Sequence, residues 1–363
     1  MFSIADHEYM NRAIQLAKRG LYSTDPNPRV GCVIVKEGTV IGEGWHEVAG
    51  QAHAEVNALA QAGAQANGAT VYVTLEPCCH QGKTPPCTDA LVKAKVARVV
   101  AAMQDPNPQV AGNGLQQLMN KGIEVDVGLL ESEAAELNIG FVKRMRQGRP
   151  YVRNKLAMSL DGRTAMASGE SKWITQSAAR QDVQHWRARS SAVLTGAGTI
   201  LADDPAMTVR LDAVVRQPKR FIIDTNLSTP VNAKILSQPG ETHILTCVDE
   251  PVIVEQLSAK GAQVHQLPKH NGRVELGAVM DYLARQEVNE VLLETGATLS
   301  GAMLSAGFID ELIIYVAPLL MGDSARGLFK LPQLQAMADR MALTIEDIRL
   351  FGQDIRIIAR PNP

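Results

Sequence analysis

The chain has 363 residues, a mass of 39.2 kDa and a formal net charge of -2. At roughly 100–200 residues per domain, this length predicts two domains. The near-neutral charge argues against a dedicated nucleic-acid-binding protein, whose surface is normally strongly basic. The longest uncharged apolar stretch, residues 312–322, is shorter than the roughly 20 residues that a membrane span needs. Residues 1–20 show no secretory pattern. We therefore expect a cytoplasmic protein.

Hydrophobic periodicity predicts alternating helices and strands along the first part of the chain. The predicted elements are helix 6–19, strands 30–35 and 40–45, helix 53–62, strand 70–75, helix 88–94, strand 96–102, helix 113–121, strand 123–127 and helix 131–146. This alternation is typical of an α/β layer sandwich with a largely parallel sheet. The basic segment 143–150 then predicts a solvated connection between domains.

A second α/β series follows that connection. Its predicted elements are strand 151–158, helix 176–189, strands 191–195, 219–224 and 242–247, helix 252–260, strand 262–266, helix 275–286, strand 290–294, helix 298–306, strand 309–316 and a terminal pair of strands, 342–349 and 353–360. The terminal pair predicts an antiparallel edge and hence a mixed sheet. Because the two series share no motif, we expect two unlike domains, 1–146 and 147–363, and no internal duplication.

Clustered cysteines indicate metal chemistry in the first half. Three of the five cysteines, Cys78, Cys79 and Cys87, lie within ten residues. An odd number of cysteines in a long, unsecreted chain makes a poor disulfide framework. The segment His53-Ala54-Glu55 begins a predicted helix, and Pro77-Cys78 follows a predicted strand. This order matches the zinc-deaminase signature, H-x-E followed by Pro-Cys, except that eight residues separate Cys78 from Cys87.

The candidate ligands predict a catalytic zinc site. His53, Cys78 and Cys87 would leave the fourth tetrahedral position open for water, and zinc lowers the pKa of such a water to about 7. Glu55 would move a proton from the water to the ring nitrogen and then to the departing ammonia. Two alternatives remain at this point. The cysteines could be free core thiols, or Cys79 or His80 could close a purely structural zinc site.

Three segments of the first half carry a specific resemblance: residues 24–33 (TDPNPRVGCV), 53–55 (HAE) and 75–87 (LEPCCHQGKTPPC). They resemble the bifunctional riboflavin-biosynthesis deaminase/reductase family, in which the eight-residue gap between cysteines differs from that of cytidine and tRNA-editing deaminases. The resemblance implies a cytidine-deaminase-like three-layer sandwich. It also implies that Asn27, His80 and Lys83 contact the pyrimidine substrate and its ribose phosphate. Cys79 departs from the Ser that the resemblance leads us to expect there.

The second half resembles the same family in residues 155–163 (KLAMSLDGR), 171–175 (SKWIT), 195–205 (TGAGTILADDP) and 294–301 (ETGATLSG). The resemblance implies a dihydrofolate-reductase-like domain that uses NADPH. The cofactor-binding residues that it implies are Ala157, Trp173, Thr199, Asp203, Thr225, Gly296, Ala297, Thr298, Leu299, Ser300, Gly301 and Ala302. The substrate-binding residues that it implies are Lys155, Ser171, Arg187, Met207, Arg210 and Glu294.

Taken alone, the residues of the second half give a weaker signal. Two glycine-bearing loops, 196–199 and 296–298, each follow a predicted strand, where backbone N–H groups can approach a phosphate. Neither loop is a complete Rossmann or P-loop fingerprint, and each alone is more often an ordinary turn. Two such loops at one sheet edge favour a nucleotide site. Arg187 and Arg210 could each fork onto a phosphate, although an exposed helical Arg187 is more often simply solvated. Lys155 and Asp203 are candidates for orienting the sugar or passing a proton.

The resemblance, together with the candidate zinc site, implies a two-step enzyme of riboflavin biosynthesis. The first step is zinc-dependent hydrolytic deamination of 2,5-diamino-6-(5-phosphoribosylamino)pyrimidin-4-one. The second is NADPH-dependent reduction of the ribosyl group of 5-amino-6-(5-phosphoribosylamino)uracil to ribityl. We expect one zinc ion per chain, small-molecule substrates, no nucleic-acid or membrane partner, and a homo-oligomer. The rival hypotheses are a nucleic-acid or nucleoside zinc deaminase with a fused nucleotide-binding domain, which a basic groove would indicate, and a non-enzymatic zinc module.

Overall fold

The computed structural model describes residues 1–81, 85–108, 110–212, 214 and 216–362. The chain divides into two compact units, Met1–Gly148 and Arg149–Pro363, a boundary two residues beyond the one expected from the sequence. Among the described residues, no helix is both long and apolar enough to cross a membrane.

The first unit is built from a five-stranded sheet and its covering helices. Its elements are α1 (Ile4–Lys18), β1 (Gly31–Lys36), β2 (Thr39–Trp45), α2 (Ala54–Ala62), β3 (Thr70–Val73), α3 (Cys87–Lys93), β4 (Arg98–Ala101), α4 (Asn113–Asn120), β5 (Glu124–Val127), α5 (Glu131–Leu137) and α6 (Ile139–Gln147), with a short 3₁₀ segment at Gly63–Ala66.

Alternation along the strands creates two cores in this unit. On β1, Cys32 and Ile34 pack with α2, α3 and α4, whereas Val33 and Val35 pack with α1, α5 and α6. Successive side chains of a strand point to opposite faces, so one sheet supports helices on both sides. The result is a three-layer sandwich.

The sheet order in this unit is β2-β1-β3-β4-β5. Strand β1 is antiparallel to both β2 and β3, and β3, β4 and β5 are parallel. The sheet is thus mixed. The expectation of a largely parallel sheet was wrong for the pairs β2–β1 and β1–β3. A tight turn reverses the chain between β1 and β2, where Glu37 and Gly38 have φ angles of 49° and 78°. Positive φ at both central residues is the geometry that two-residue hairpins favour.

The predicted helix 131–146 is interrupted at Asn138, between α5 and α6. The buried Asn138 side chain accepts from the Arg29 backbone N–H (2.8 Å) and donates to the Arg29 carbonyl (2.9 Å). The basic segment predicted to connect the domains is instead helical as far as Gln147, because Phe141 and Met145 of α6 pack into the core. The helix ends at Gly148, whose φ of 69° suits glycine.

The second unit contains a nine-stranded sheet. Its elements are β6 (Tyr151–Ser159), β7 (Arg163–Ala165), α7 (Ser177–Arg189), β8 (Ala192–Gly196), α8 (Ala197–Asp203), β9 (Lys219–Ile223), β10 (Thr242–Thr246), α9 (Pro251–Ser258), β11 (Ala262–Gln266), β12 (Lys269–His270), β13 (Arg273–Val274), α10 (Leu276–Arg285), β14 (Glu290–Leu293), α11 (Ala297–Ser305), β15 (Glu311–Ala317), β16 (Arg326–Gly327), β17 (Leu343–Phe351) and β18 (Asp354–Pro361). Short 3₁₀ segments occupy Lys234–Ser237 and Met337–Asp339.

The large sheet has the order β11-β10-β9-β8-β14-β6-β15-β18-β17. The seven strands from β11 at the edge to β15 are all parallel. Strand β18 is antiparallel to β15, and β17 is antiparallel to β18. This confirms the predicted mixed sheet with an antiparallel edge. Because ligands of open α/β sheets bind beyond the carboxyl ends of the strands, the loops after β8, β9 and β14 are where a site belongs.

A buried ionic cluster lies at the centre of this sheet. Arg153 of β6 forms ion pairs with Glu290 of β14 and, at 2.8 Å, with Glu311 of β15. The side chains of Arg153 and Glu290 are each only 2% exposed. Tyr151 and Trp186 present their rings to the Arg153 guanidinium at 4.7 and 5.6 Å. Charges buried to this extent must be paired, and these ion pairs link the three neighbouring strands β14, β6 and β15.

Candidate active sites

Three elements of the first unit converge on one set of potential metal ligands. His53 directly precedes α2, Cys78 lies in the loop after β3, and Cys87 is the first residue of α3. The His53 Nδ1 atom lies 3.5 Å from the Cys78 Sγ and 3.3 Å from the Cys87 Sγ. Positions that are far apart in sequence are therefore adjacent at the carboxyl end of β3.

These three side chains fit a zinc ion. Their ligand atoms all lie within 4.8 Å of one another. In a tetrahedral site with Zn–S near 2.3 Å and Zn–N near 2.0 Å, ligand atoms are separated by about 3.5 Å, close to the separations observed. Within the described part of the chain, neither Cys79 nor His80 joins this group. That arrangement argues against the closed structural site and favours an open fourth position.

The two candidate ligand thiols interact closely, and their pKa values shift in opposite directions. Hydrogen bonds from the Cys87 side chain, His53 and the Cys87 backbone N–H outweigh burial and lower the pKa of Cys78 to about 4. The negative Cys78 side chain, together with burial, raises the pKa of the Cys87 thiol. The N–H at the start of α3 thus points at Cys78, 3.4 Å from its Sγ. Since metals bind thiolates, the lowered pKa of Cys78 favours its role as a ligand.

Glu55 lies in the first turn of α2 beside the ligands and is only 3% exposed. Burial, reinforced by the charge of Cys78, raises the pKa of Glu55 to about 7. A carboxyl group with a pKa near neutrality can both accept and donate a proton at physiological pH. The arrangement therefore has the chemistry of a general acid–base next to a metal.

Asn27, implied to bind substrate, is oriented by a histidine that the sequence analysis missed. The Asn27 Nδ2 atom donates to the Nε2 of His46 (3.1 Å), whose Nδ1 donates to the Ala52 carbonyl (3.1 Å). Burial lowers the pKa of His46, which favours this neutral form. The His46 ring also packs edge-on against the ring of His53, with centroids 5.3 Å apart. His46 is a single histidine after a strand and belongs to no recognisable motif, so its contacts with Asn27 and His53 could not be predicted from the sequence.

A second missed residue, Asp105, follows β4. It is 9% exposed, and burial raises the pKa of Asp105 to about 6, although the hydrogen bond from the Asn107 backbone N–H and, less strongly, the charge of His80 oppose this shift. Its position after a strand next to β3 was a usable signal, because the carboxyl ends of neighbouring parallel strands share one sheet edge. Lys83, predicted to bind the phosphate, lies outside the described residues.

The second unit has a cavity of about 1420 Å³ around the loops that follow β8, β9 and β14. This volume exceeds the roughly 300–1,000 Å³ of ordinary small-ligand sites, so the cavity is large enough for a dinucleotide together with a substrate. The implied site residues that line it are Lys155, Ala157, Ser171, Trp173, Arg187, Thr199, Asp203, Met207, Arg210, Thr225, Glu294, Gly296, Ala297, Thr298, Leu299 and Ala302.

Two implied cofactor-binding residues face away from this cavity. Ser300 is fully buried, and its hydroxyl donates to Asn154 Oδ1 (3.4 Å). Gly301 packs against the backbone of Lys330, where an added Cβ would lie 2.2 Å from the carbonyl oxygen. Helix α11 begins at Ala297, and these two positions of the helix lie towards the core. That residues 296–302 as a whole bind the cofactor stays a prediction.

The glycine-bearing loops are open towards the cavity. An added Cβ at Gly198 or Gly296 would meet no atom within 4 Å, so the space above the backbone is not filled by protein. Gly196 and Gly296 directly precede α8 and α11, the first of which the sequence analysis missed. Backbone N–H groups at two helix starts beside one cavity fit the phosphates of NADPH.

The Arg187 guanidinium, a candidate for binding a phosphate, is neither solvated nor free in the structure. Its Nε and Nη2 atoms lie 2.6 and 2.9 Å from the two carboxylate oxygens of Glu294, and its Nη1 donates to the Thr208 carbonyl (3.0 Å). Burial would raise the pKa of Glu294, but the Arg187 charge and hydrogen bonds outweigh it and lower that pKa. The fork is thus taken by an internal carboxylate, and the role of Arg187 towards substrate stays a prediction.

Lys155 and Asp203 have different surroundings within the cavity. Burial lowers the pKa of Lys155, and the charge of Glu294 opposes this effect. Asp203 has a 36% exposed side chain and pairs with Lys172 at 3.4 Å. An amine of lowered pKa at the cavity wall is suited to releasing a proton, whereas the exposed Lys172–Asp203 pair is suited to binding. These environments distinguish two candidates that the sequence left equivalent.

Comparisons with known proteins place both units. The model of the cytidine and deoxycytidylate deaminase zinc-binding region matches residues 3–103, and that of the RibD C-terminal domain matches residues 150–357. Riboflavin biosynthesis protein RibD of Escherichia coli (strain K12) is 52% identical, and the match covers 96% of this chain and 98% of that protein. RibD of Haemophilus influenzae is 48% identical, with 99% of each chain covered.

The chain belongs to the RibD family.

Solved structures of RibD proteins agree with this conclusion. Acinetobacter baumannii RibD is 52% identical with a TM-score of 0.93 over 99% of each chain. A Thermotoga maritima protein, described as a diaminohydroxyphosphoribosylaminopyrimidine deaminase/5-amino-6-(5-phosphoribosylamino)uracil reductase, is 33% identical with a TM-score of 0.87 over 99% of each chain. The RibD chain described here is a bifunctional deaminase/reductase of riboflavin biosynthesis, with zinc and NADPH as cofactors and small molecules as substrates. The predicted family and fold class are confirmed.

Proposed function

We propose that the first unit deaminates the pyrimidine with His53, Cys78 and Cys87 as zinc ligands and Glu55 as the general acid–base. The observation that carries this proposal is the grouping of three ligand atoms within 4.8 Å beside a buried carboxyl group. A zinc ion held by these three residues would supply a water of lowered pKa for attack on the ring carbon that bears the 2-amino group. Glu55 accepts a proton from that water, delivers it to the ring nitrogen and then protonates the departing amine.

For the second unit we propose that the cavity holds NADPH beside the phosphoribosyl substrate. The cofactor supplies the hydride for C1 of the sugar. Lys155 is the proposed proton donor, since burial lowers its pKa, and the Arg187–Glu294 pair keeps its surroundings polar. Exposed Arg210 on the cavity rim is the proposed phosphate partner. Asp203, held by Lys172, orients the bound molecules from the same rim.

Metal analysis tests the ligand assignment. Cys78→Ser should lose most of the zinc, because one of three protein ligands is removed, whereas Cys79→Ser should keep about one zinc ion per chain. The two cysteines are adjacent, so the second variant is a closely matched control. Zinc content would be measured by atomic emission on protein purified without added metal. If Cys79→Ser also loses its zinc, the ligand assignment and the open fourth position are both wrong.

We also propose that copies of this chain associate through the edge strand β17. This strand ends the nine-stranded sheet, and its side chains Leu343, Ile345, Ile348 and Leu350 are 43% to 73% exposed. An edge strand offers unpaired backbone groups, and exposed apolar side chains on it favour pairing with another chain. The small net charge of -2 supports the absence of a nucleic-acid partner. The five free cysteines support a reducing, cytoplasmic location.

Leu350→Asp should convert the oligomer to a monomer, because a charge would enter an apolar contact between strands. Light scattering coupled to size exclusion would measure the mass of wild type and variant. Val252→Asp is the control, since Val252 of α9 is 68% exposed, close to the 73% of Leu350, but lies away from the edge strand. A wild-type protein that is monomeric, or an oligomer that Leu350→Asp leaves intact, would rule out this interface.

A further inference from the structure

A buried carboxylate beside the metal ligands has no place in the mechanism above. Glu76 lies in the loop after β3, two residues before Cys78, and is 3% exposed. Its Oε2 accepts from the backbone N–H groups of Asp105 (3.0 Å) and Gly112 (2.9 Å). Its Oε1 accepts from those of Gly114 (2.8 Å) and Leu115 (3.3 Å). One side chain therefore holds four backbone donors of the segment that leads from β4 into α4.

Contacts of the backbone reinforce this connection. The N–H of Glu76 donates to the Met103 carbonyl (3.0 Å). The carbonyl of the next residue, Pro77, touches Gly114 so closely that an added Cβ would lie 2.1 Å from its oxygen. The Cys78 carbonyl in turn accepts from the Thr88 N–H (3.2 Å). Residues 76–78 are thus fixed on both sides, by the 103–115 segment and by the start of α3.

The group of potential ligands among the described residues does not include Glu76. Its carboxylate oxygens are engaged by backbone donors, and hydrogen bonds to an ionised acceptor are the stronger kind. Side chains that hold metal ligands without touching the metal typically change metal affinity 10- to 100-fold when they are replaced. Glu76 has the contacts that such a role requires.

We propose that Glu76 is a positioning residue of the zinc site. Its carboxylate ties the Pro77-Cys78 segment to the 105–115 segment, which keeps the Cys78 Sγ within reach of His53 and Cys87. One of the same four hydrogen bonds holds the backbone N–H of Asp105, and the other three hold Gly112, Gly114 and Leu115. This inference rests on the zinc ligands proposed above.

The test is Glu76→Gln, which keeps the size of the side chain but replaces one acceptor oxygen by a donor. That donor would face two backbone N–H groups, so the loop should shift. We expect zinc affinity, measured by competition with a chromogenic chelator, to fall 10- to 100-fold. With Co²⁺ in place of zinc, the absorption bands of tetrahedral, thiolate-bound cobalt should weaken or move. Glu76→Asp keeps the charge but shortens the side chain, so its zinc affinity should lie between those of wild type and Glu76→Gln. It replaces Glu76→Gln in the test if that variant does not fold.

Asp6→Asn is the matched control. Asp6 is a buried carboxylate of the same unit, 6% exposed, and it accepts from the Ser3 N–H, the Tyr72 hydroxyl and Arg98. It lies on α1, on the face of the sheet opposite to α2 and α3. This variant should lower stability and leave the zinc affinity and the cobalt spectrum unchanged.

Three outcomes oppose the inference. If Glu76→Gln holds zinc as tightly as wild type, the positioning role is wrong while the ligand assignment stands. If Asp6→Asn weakens zinc binding as much as Glu76→Gln, the effect is one of general stability and the positioning role is again wrong. If wild type itself holds no zinc, both this inference and the proposed metal site fail.

Discussion

Glu55→Gln is expected to lower the rate of deamination by about 10²–10⁴-fold, the contribution that positioned acid–base catalysis typically makes. The substitution keeps the shape of a side chain that is 3% exposed but removes the carboxylate that moves protons. Reduction should continue, because Glu55 lies in the first unit and the reductase cavity is lined by residues of the second. Ammonia release from the diaminopyrimidine substrate measures the first activity. NADPH oxidation with 5-amino-6-(5-phosphoribosylamino)uracil measures the second.

The reciprocal variant completes this experiment. Gly198→Val should impair reduction and leave ammonia release intact, because the new side chain would occupy space in the cavity. The variant should fold, because an added Cβ at this position meets no protein atom within 4 Å. Gly327→Val is the control, because its Cβ also meets nothing within 4 Å and Gly327 is not among the described cavity-lining residues. A folded Glu55→Gln protein without either activity would contradict two separate sites and indicate one composite site or obligatory coupling.

Arg153→Met should cost about 3–5 kcal/mol of stability in the second unit, the usual effect of removing one partner from a buried ion pair. The variant would leave the carboxylates of Glu290 and Glu311 buried beside an apolar side chain, with exposures of only 2% and 5%. Differential scanning calorimetry would follow the transition that added NADPH shifts upwards, since a ligand stabilises the unit that binds it. We expect the midpoint of that transition to fall by several degrees or more.

Arg189→Met is the control that distinguishes the loss of a buried ion pair from the mere loss of a positive charge near Glu290. Arg189 also pairs with Glu290, at 3.0 Å, but its side chain is 20% exposed and its removal leaves Arg153 in place. Its loss should cost about 1 kcal/mol, as for partly exposed pairs. Equal destabilisation by the two variants would show that burial of the Arg153 cluster does not decide the stability of the sheet.

Local chemistry explains why much of the metal site could be predicted from sequence. His53, Cys78 and Cys87 each occur in a short motif at the end or start of a predicted element, and parallel strands bring such positions to one edge. The helices and strands followed from periodicity because buried faces repeat regularly along the chain. For the second unit the resemblance was needed, since the glycine loops alone lack a complete phosphate-binding motif.

The features that sequence could not predict depend on contacts between distant residues. The fork of Arg187 onto Glu294 joins residues 107 apart, and periodicity carries no information on such a pair. Asn138 interrupts a predicted helix because its side chain bonds the backbone of Arg29, 109 residues away. His46 becomes relevant only through Asn27 and His53. Ser300 and Gly301 turn inwards because of where α11 begins.

The strand order of the large sheet has a consequence for how the chain folds. Strand β6 is the first of the second unit to be made, yet it lies between β14 and β15, and Arg153 finds its partners 137 and 158 residues later. Contacts so distant in sequence form slowly, and domains generally fold in the order of their synthesis. The first unit can fold once its own 148 residues have left the ribosome. The centre of the large sheet cannot be completed until β15 has been made, so we expect the first unit to fold before it during synthesis.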